Sequence, residues 1–229
     1  AEKHYRKSIS LNYKNKKAHA ELGKILLFYG NLKDGWKEYE WGLNYLEKIY
    51  PDNIKNIPIW DGKDSNKHRI LIFREQGLGD EILYASCYNE IINKTNKCFF
   101  ISENRLINLF KNSFPKGEFL SEDDFSKNTD LSKINPTTRI QSTLLPKFLR
   151  KTFKDFPKQK KYLIPNKEKF DIWREKLKES KGKLKVGIAW SSRVSTKCNP
   201  KYWRNLRETL LHLNGEVIRL DGSIRMGAT

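Results

Sequence analysis

Apolar positions along the chain change period twice. Over residues 1–66 they recur at helical spacing. Ala18, Leu22, Ile25, Leu26 and Tyr29 fall on one face of a helix, after an earlier helix from Lys3 to Leu11. Gly30-Asn31 breaks the run, Asp34 is placed to cap the next helix, and Trp36, Tyr39, Leu43 and Leu46 pack back from it. The chain also repeats itself: Tyr5 with Ser8 returns as Tyr39 with Gly42, an offset of 34 residues, with Leu22-Gly23 and Gly35 between them. From residue 67 the pattern turns to short apolar runs joined by amphipathic stretches. Arg69-Ile70-Leu71-Ile72-Phe73 suits a buried parallel strand, Ile82, Ala85, Tyr88, Ile91 and Ile92 lie at helical spacing, and Cys98-Phe99-Phe100-Ile101 supplies the next strand. Ile59 to Gly62 and Lys63 to His68 read as a linker. A further strand, Lys185 to Trp190, is followed by a helix from Tyr202 to Leu213 and a strand from Glu216 to Leu220. These patterns predict an α/β protein in three parts: a helical segment with linker (1–66), an α/β domain (67–182) and the start of a second α/β domain (183–229).

Composition narrows the function classes. The 229 residues contain no run of 18 apolar residues, so no transmembrane segment is expected. Three cysteines, far apart and in no metal-binding spacing, fit a reducing cytoplasm and supply no disulfide framework or zinc site. Cys87 and Cys98 read as buried structural thiols. His4, His19, His68 and His212 have no triad partners, and Glu122, Asp123 and Asp124 read as a loop. The net charge of +18 is uneven: residues 136–185 carry 16 basic and 5 acidic side chains. That strip, around Lys147 to Lys151 and Lys158 to Lys161, could steer a polyanion or an anionic lipid surface. A Lys-rich solvated face is favoured over nucleic-acid binding, since no recognised nucleic-acid-binding signature accompanies it.

The turn after the first strand carries the sharpest chemistry. Arg74-Glu75-Gln76-Gly77-Leu78-Gly79-Asp80-Glu81 joins a strand to a helix, as in the opening unit of a nucleotide-binding α/β fold. The dinucleotide fingerprint wants a third Gly or Ala where Ile82 stands, and Asp80 would repel a pyrophosphate. Asp80 therefore has two readings: an N-cap beside turn-forming glycines, or a carboxylate that faces a crevice and accepts a proton or hydrogen bond from a substrate hydroxyl; Glu75 either shares that task or is a solvated loop residue. Beyond the Lys185–Trp190 strand, Ser191, Ser192, Arg193 and Lys197 suit either an exposed polar turn or a grip on a diphosphate.

The motifs Gly30-Asn31-Leu32-Lys33-Asp34-Gly35-Trp36, Trp60-Asp61-Gly62 and Glu75-Gln76-Gly77-Leu78-Gly79-Asp80-Glu81-Ile82 resemble bacterial tetratricopeptide-repeat proteins with a glycosyltransferase-like region. Asn112 to Pro115, Leu145 to Arg150, Phe156-Pro157, Lys161-Tyr162-Leu163, Trp173-Arg174 and Val186 to Trp190 continue the likeness in order. That family is similar in fold to heptosyltransferases and O-linked N-acetylglucosamine transferases, GT-B enzymes built of two Rossmann-like halves. The resemblance implies a tetratricopeptide-like repeat, a Rossmann-like acceptor-side domain and an incomplete donor-side domain. It assigns Asp80 as catalytic base, with Glu75, Gln76, Gly77 and Gly79 binding substrate. Ser191, Ser192, Arg193 and Lys197 would hold the phosphates of a nucleotide diphosphate sugar, with no metal and no other cofactor. The implied partners are the nucleotide sugar and a protein or glycan acceptor, with a protein partner on the repeats. The chain reads as a fragment of such an enzyme, inactive in this truncated form. The rival reading is a non-catalytic repeat module that binds proteins; a basic nucleic-acid binder is the weaker alternative.

Overall fold

The computed structural model describes residues 1–42, 52–74, 77–123, 125, 131–158 and 161–178. The chain divides into two units, Ala1–Arg174 and Glu175–Thr229. The opening helices and the sheet both belong to the first unit.

Three helices open the chain: α1 (Glu2–Leu11), α2 (Lys16–Phe28) and α3 (Leu32–Tyr39). The α2–α3 pair is set by two glycines. A Cβ on Gly23 would fall 2.7 Å from Tyr39 Cα, and one on Gly35 would fall 2.8 Å from the Leu27 side chain. Only hydrogen at both positions lets the two backbones approach this closely. Ala18, Leu22 and Leu26 are buried as their spacing predicts. Tyr29 departs from the expectation: α2 ends at Phe28, so Tyr29 occupies the C-cap and its ring turns outward. The α3 cap differs too. Asn31, not Asp34, is the N-cap and accepts from the Asp34 N–H, while Asp34 accepts from the Asn31 amide at 3.0 Å.

The remaining elements build a four-stranded sheet, all parallel, in the order β3–β2–β1–β4. The strands are β1 (Arg69–Phe73), β2 (Lys97–Ser102), β3 (Glu118–Ser121) and β4 (Thr138–Gln141). Phe73 pairs with Ile101 on one side and Gln141 on the other. The fold is thus α/β. Side-chain alternation gives the sheet two buried faces. Ile70, Ile72, Cys98, Phe100, Phe119 and Ile140 face one way, toward a core that includes Tyr88, Phe110 and Leu145. Leu71, Phe73, Phe99 and Ile101 face the other, toward Ile54, Phe125 and Ile134.

After β1 come α5 (Leu78–Tyr84), a 3-10 turn and α6 (Tyr88–Lys94), preceded in the chain by the short α4 (Asp52–Lys55). Later in the chain are α7 (Asn104–Ser113), the one-turn α8 (Leu131–Ile134) and α9 (Leu145–Leu149). The predicted linker is no free tether. Trp60 is buried in the first core, its backbone N–H donates to Arg139 O at 2.8 Å, and Ile59 bridges to Arg139 at the edge of β4. The opening helices also meet the sheet domain: α3 packs on α9, and Lys147 reaches Glu40 at 2.7 Å.

Candidate functional site

All four strands deliver their carboxyl ends to one edge of the sheet. From β1 the chain runs outward to β2 and β3, then returns to β4 on the far side of β1. Such a reversal puts a topological switch point at the carboxyl ends of the strands, here between β1 and β4, the place where open α/β sheets bind ligands. Two segments border it: the turn Gly77 to Asp80 that enters α5, and Ser142-Thr143, buried just after β4. The helix α5 lies beside the 3-10 turn Ser142–Leu144.

Asp80 does serve the helix end, but from inside it. Gly77 is the N-cap, with φ −87° and ψ 173°, and Asp80 sits three residues on. Its Oδ2 accepts from the Gly77 N–H at 3.1 Å, while the Glu81 N–H donates to Gly77 O at 3.1 Å. Asp80 is half-buried, and no described residue bonds its other oxygen. The glycines beside it are not demanded by the fold. A Cβ on Gly79 would meet nothing within 4 Å, and one on Gly77 would only approach Asp80 Oδ2 at 3.6 Å. Neither residue is among the glycines with positive φ. The effect of these glycines is to leave open space over the turn.

Beneath the turn lies a buried charge network that sequence reasoning did not single out. Glu81 is wholly excluded from solvent. Its Oε2 pairs with Arg74 Nε at 2.9 Å, and the Glu103 N–H donates to both its oxygens at 3.3 and 3.4 Å. Arg74 also donates to Glu122, so one guanidinium joins the ends of β1 and β3 to α5. Burial raises the Glu81 carboxyl above the usual carboxylate range, and the attraction of Arg74 offsets this only in part. Glu103 is held below its usual range by the Arg105 guanidinium. The sequence did contain a sign of Glu81: it shares the stripe Leu78–Glu81–Ala85–Tyr88, where a charge stands among residues that face the core.

Among the described residues the edge is therefore richer in carboxylates than in cations: Glu81 and Glu122 share Arg74, Glu103 pairs with Arg105, and Asp80 has no arginine partner. Such an edge suits a hydroxyl or cationic group and opposes a phosphate. Of the sequence-predicted residues, Asp80, Gly77 and Gly79 are brought together here. Glu75, Gln76, Ser191, Ser192, Arg193 and Lys197 lie outside the described residues.

Other expectations resolve differently. Glu122 belongs to the Arg74 network, and Asp123 accepts from the Asn104 amide, so this acidic stretch is engaged at the ends of the strands. Among the described residues no group of three His, Cys, Asp or Glu side chains is placed to hold a metal ion. The basic strip is not simply a solvated face. Arg150 is buried and pairs with Glu90 at 3.0 Å, because α9 packs inward, whereas Lys151, Lys154, Lys158 and Lys161 are exposed. The thiols of Cys87 and Cys98 are pushed up by burial to about 11 and about 12, which keeps both protonated and unreactive. His19 is a packing residue: its ring stacks on Trp41 at 4.2 Å, with one nitrogen on Glu38 and the other 2.8 Å from Tyr13 O.

The chain is 29% identical over 211 residues to Protein FlbA of Caulobacter vibrioides, an alignment that covers 84% of this chain and 35% of that protein. It thus spans about a third of the length of the curated relative it matches. No family profile and no solved structure matches the chain. No helix of the described residues is long and apolar enough to cross a membrane.

Proposed function

We propose that the full-length protein transfers a sugar from a nucleotide diphosphate sugar to a hydroxyl-bearing protein or glycan acceptor, and that residues 67–182 form the acceptor-side half of a GT-B-like enzyme. The observation that carries this reading is the setting of Asp80. It is a half-buried carboxylate at the carboxyl end of β1, one oxygen fixed by Gly77 and the other unclaimed by any described residue, beside a glycine with open space above it. The parallel order β3–β2–β1–β4 is the arrangement expected of a Rossmann-like half.

In this reading the acceptor hydroxyl donates to the free Asp80 oxygen. As the acceptor oxygen bonds to the anomeric carbon, the bond from that carbon to the diphosphate breaks, and Asp80 takes the hydroxyl proton. The leaving nucleotide diphosphate carries its negative charge away from the carboxylate edge. It needs cations elsewhere, a part suited to Ser191, Ser192, Arg193 and Lys197. No metal and no other cofactor enters this scheme. Asp80→Asn in the full-length protein tests it. Loss of transfer with donor binding and melting temperature retained supports the base; unchanged transfer removes it.

A second reading rests on the opening helices. A groove of about 320 Å³ on their surface is lined by Arg6, Ile9, Ser10, Tyr13, Leu22 and Glu38. As a protein-binding module the chain would keep its partner whatever stands at position 80.

A further inference from the structure

We infer that an aromatic patch between α2 and the 3-10 turn Phe153–Asp155 docks onto an anionic phospholipid surface. Four rings are exposed where a monomeric domain would ordinarily bury them: Phe28 (84%), Tyr29 (76%), Phe153 (70%) and Phe156 (46%). They are contiguous across a long stretch of sequence. Phe153 reaches over Gly30, where an added Cβ would fall 2.9 Å from its ring, so the turn lies against the end of α2.

The presentation is rigid. Asp155 Oδ2 accepts from the Thr152 N–H at 2.7 Å and from its hydroxyl at 3.1 Å, which pins the turn that carries Phe153. The Phe156 ring lies over the Arg150 guanidinium at 5.4 Å, and Arg150 is itself anchored on Glu90. Exposed apolar side chains on so fixed a base lose little freedom when they are covered.

Charge and composition choose the occupant. Lys151, Lys154 and Lys158 are interleaved with the two phenylalanines of this segment, are exposed, and make no ion pair among the described residues. A protein interface favours Arg, Tyr and Trp and is depleted in Lys. A platform for single-stranded nucleic acid needs open ring faces. Here Phe153 stacks on Phe156 at 6.2 Å and lies against Gly30, and Phe156 also meets the Arg150 guanidinium, so neither ring offers two free faces. Phenylalanine wedges among lysine point charges match a headgroup layer: the rings enter the boundary of the acyl chains and the ammonium groups stay with the phosphates. Docking of this kind is independent of sugar transfer.

The test is co-sedimentation of the full chain with vesicles of phosphatidylcholine containing about 30% phosphatidylglycerol, against phosphatidylcholine alone, over a series of salt concentrations. The patch requires binding to the anionic vesicles that weakens with salt and is absent on the neutral ones. Replacing Lys151, Lys154 and Lys158 by Gln is expected to weaken it about fivefold per charge. The double change Phe28→Ser and Phe153→Ser is expected to weaken it at least about tenfold, with the melting temperature unchanged because both rings are exposed. Equal pelleting with both vesicle types, or binding indifferent to both sets of changes, would overturn the inference. So would capture of a single-stranded RNA oligomer, lost in the same variants, by a protein that ignores the vesicles.

Discussion

Arg74 Nε and Glu81 Oε2 lie 2.9 Å apart where water does not reach the carboxylate. The pair fixes the first turn of α5 against the end of β1, and the second bond of Arg74 extends the tie to Glu122 after β3. Removing Arg74 leaves the Glu81 charge out of water and without its counter-charge, with the Glu103 N–H still donating to it. Arg74→Ala should therefore cost about 3 kcal/mol or more at pH 7, and less at pH 4, where Glu81 can take a proton. Urea unfolding at the two pH values measures both.

Glu81 also makes a pH prediction of defined sign. Its folded carboxyl is raised by burial, so the folded state holds the proton more firmly than the unfolded state. The stability this group contributes is full below the unfolded value of about 4.3 and is lost as pH rises through the folded value. Glu81→Gln cannot titrate. The stability of the parent relative to this variant should fall as pH is taken from 4 to 7 in a series of unfolding midpoints. A difference that moves in the parent's favour would mean that Arg74 outweighs burial.

Gly79 separates folding from function. Because an added methyl meets nothing within 4 Å, Gly79→Ala should leave the melting temperature within about 2 °C of the parent. If the acceptor closes over this turn, transfer by the full-length variant should fall at least about tenfold through a raised KM for the acceptor. Full activity in the alanine variant would show that the space is not used.

Gly23 predicts the opposite. Its missing side chain is where the Tyr39 backbone passes, so Gly23→Val forces α2 and α3 apart at a cost of about 1–3 kcal/mol. Thermal unfolding followed by circular dichroism reads this directly. An unchanged melting temperature would mean that the helix pair re-seats freely.

Much of the fold was legible along the chain, for identifiable reasons. The strand Arg69–Phe73 is set by an unbroken apolar run, and β1 has those bounds. The helix face of Ala18, Leu22 and Leu26 comes from spacing alone. What failed depended on contacts between distant residues or on a choice between similar ones. Trp60 looked like part of a linker because the edge of β4 that receives it lies about 80 residues on. Asn31 and Asp34 can each cap a helix, and the bonds between them decide which does. Arg150 sat in a lysine-rich strip, and only the fold brings Glu90 to it. Glu81 stands beside the Gly-Asp turn, and its place on a buried stripe is its mark in the sequence.

The most direct test of the central claim is sugar transfer by the full-length protein and by its Asp80→Asn variant. A panel of radiolabelled nucleotide diphosphate sugars would be supplied with extract from cells lacking the gene, in which the acceptor is unmodified. The account predicts transfer from one donor by the parent and less than about 1% of it by the variant, a loss in the range that removal of a general base produces, with equal donor binding and melting temperature. Transfer by Asp80→Asn at the parent rate, or none by the parent from any donor, would contradict it.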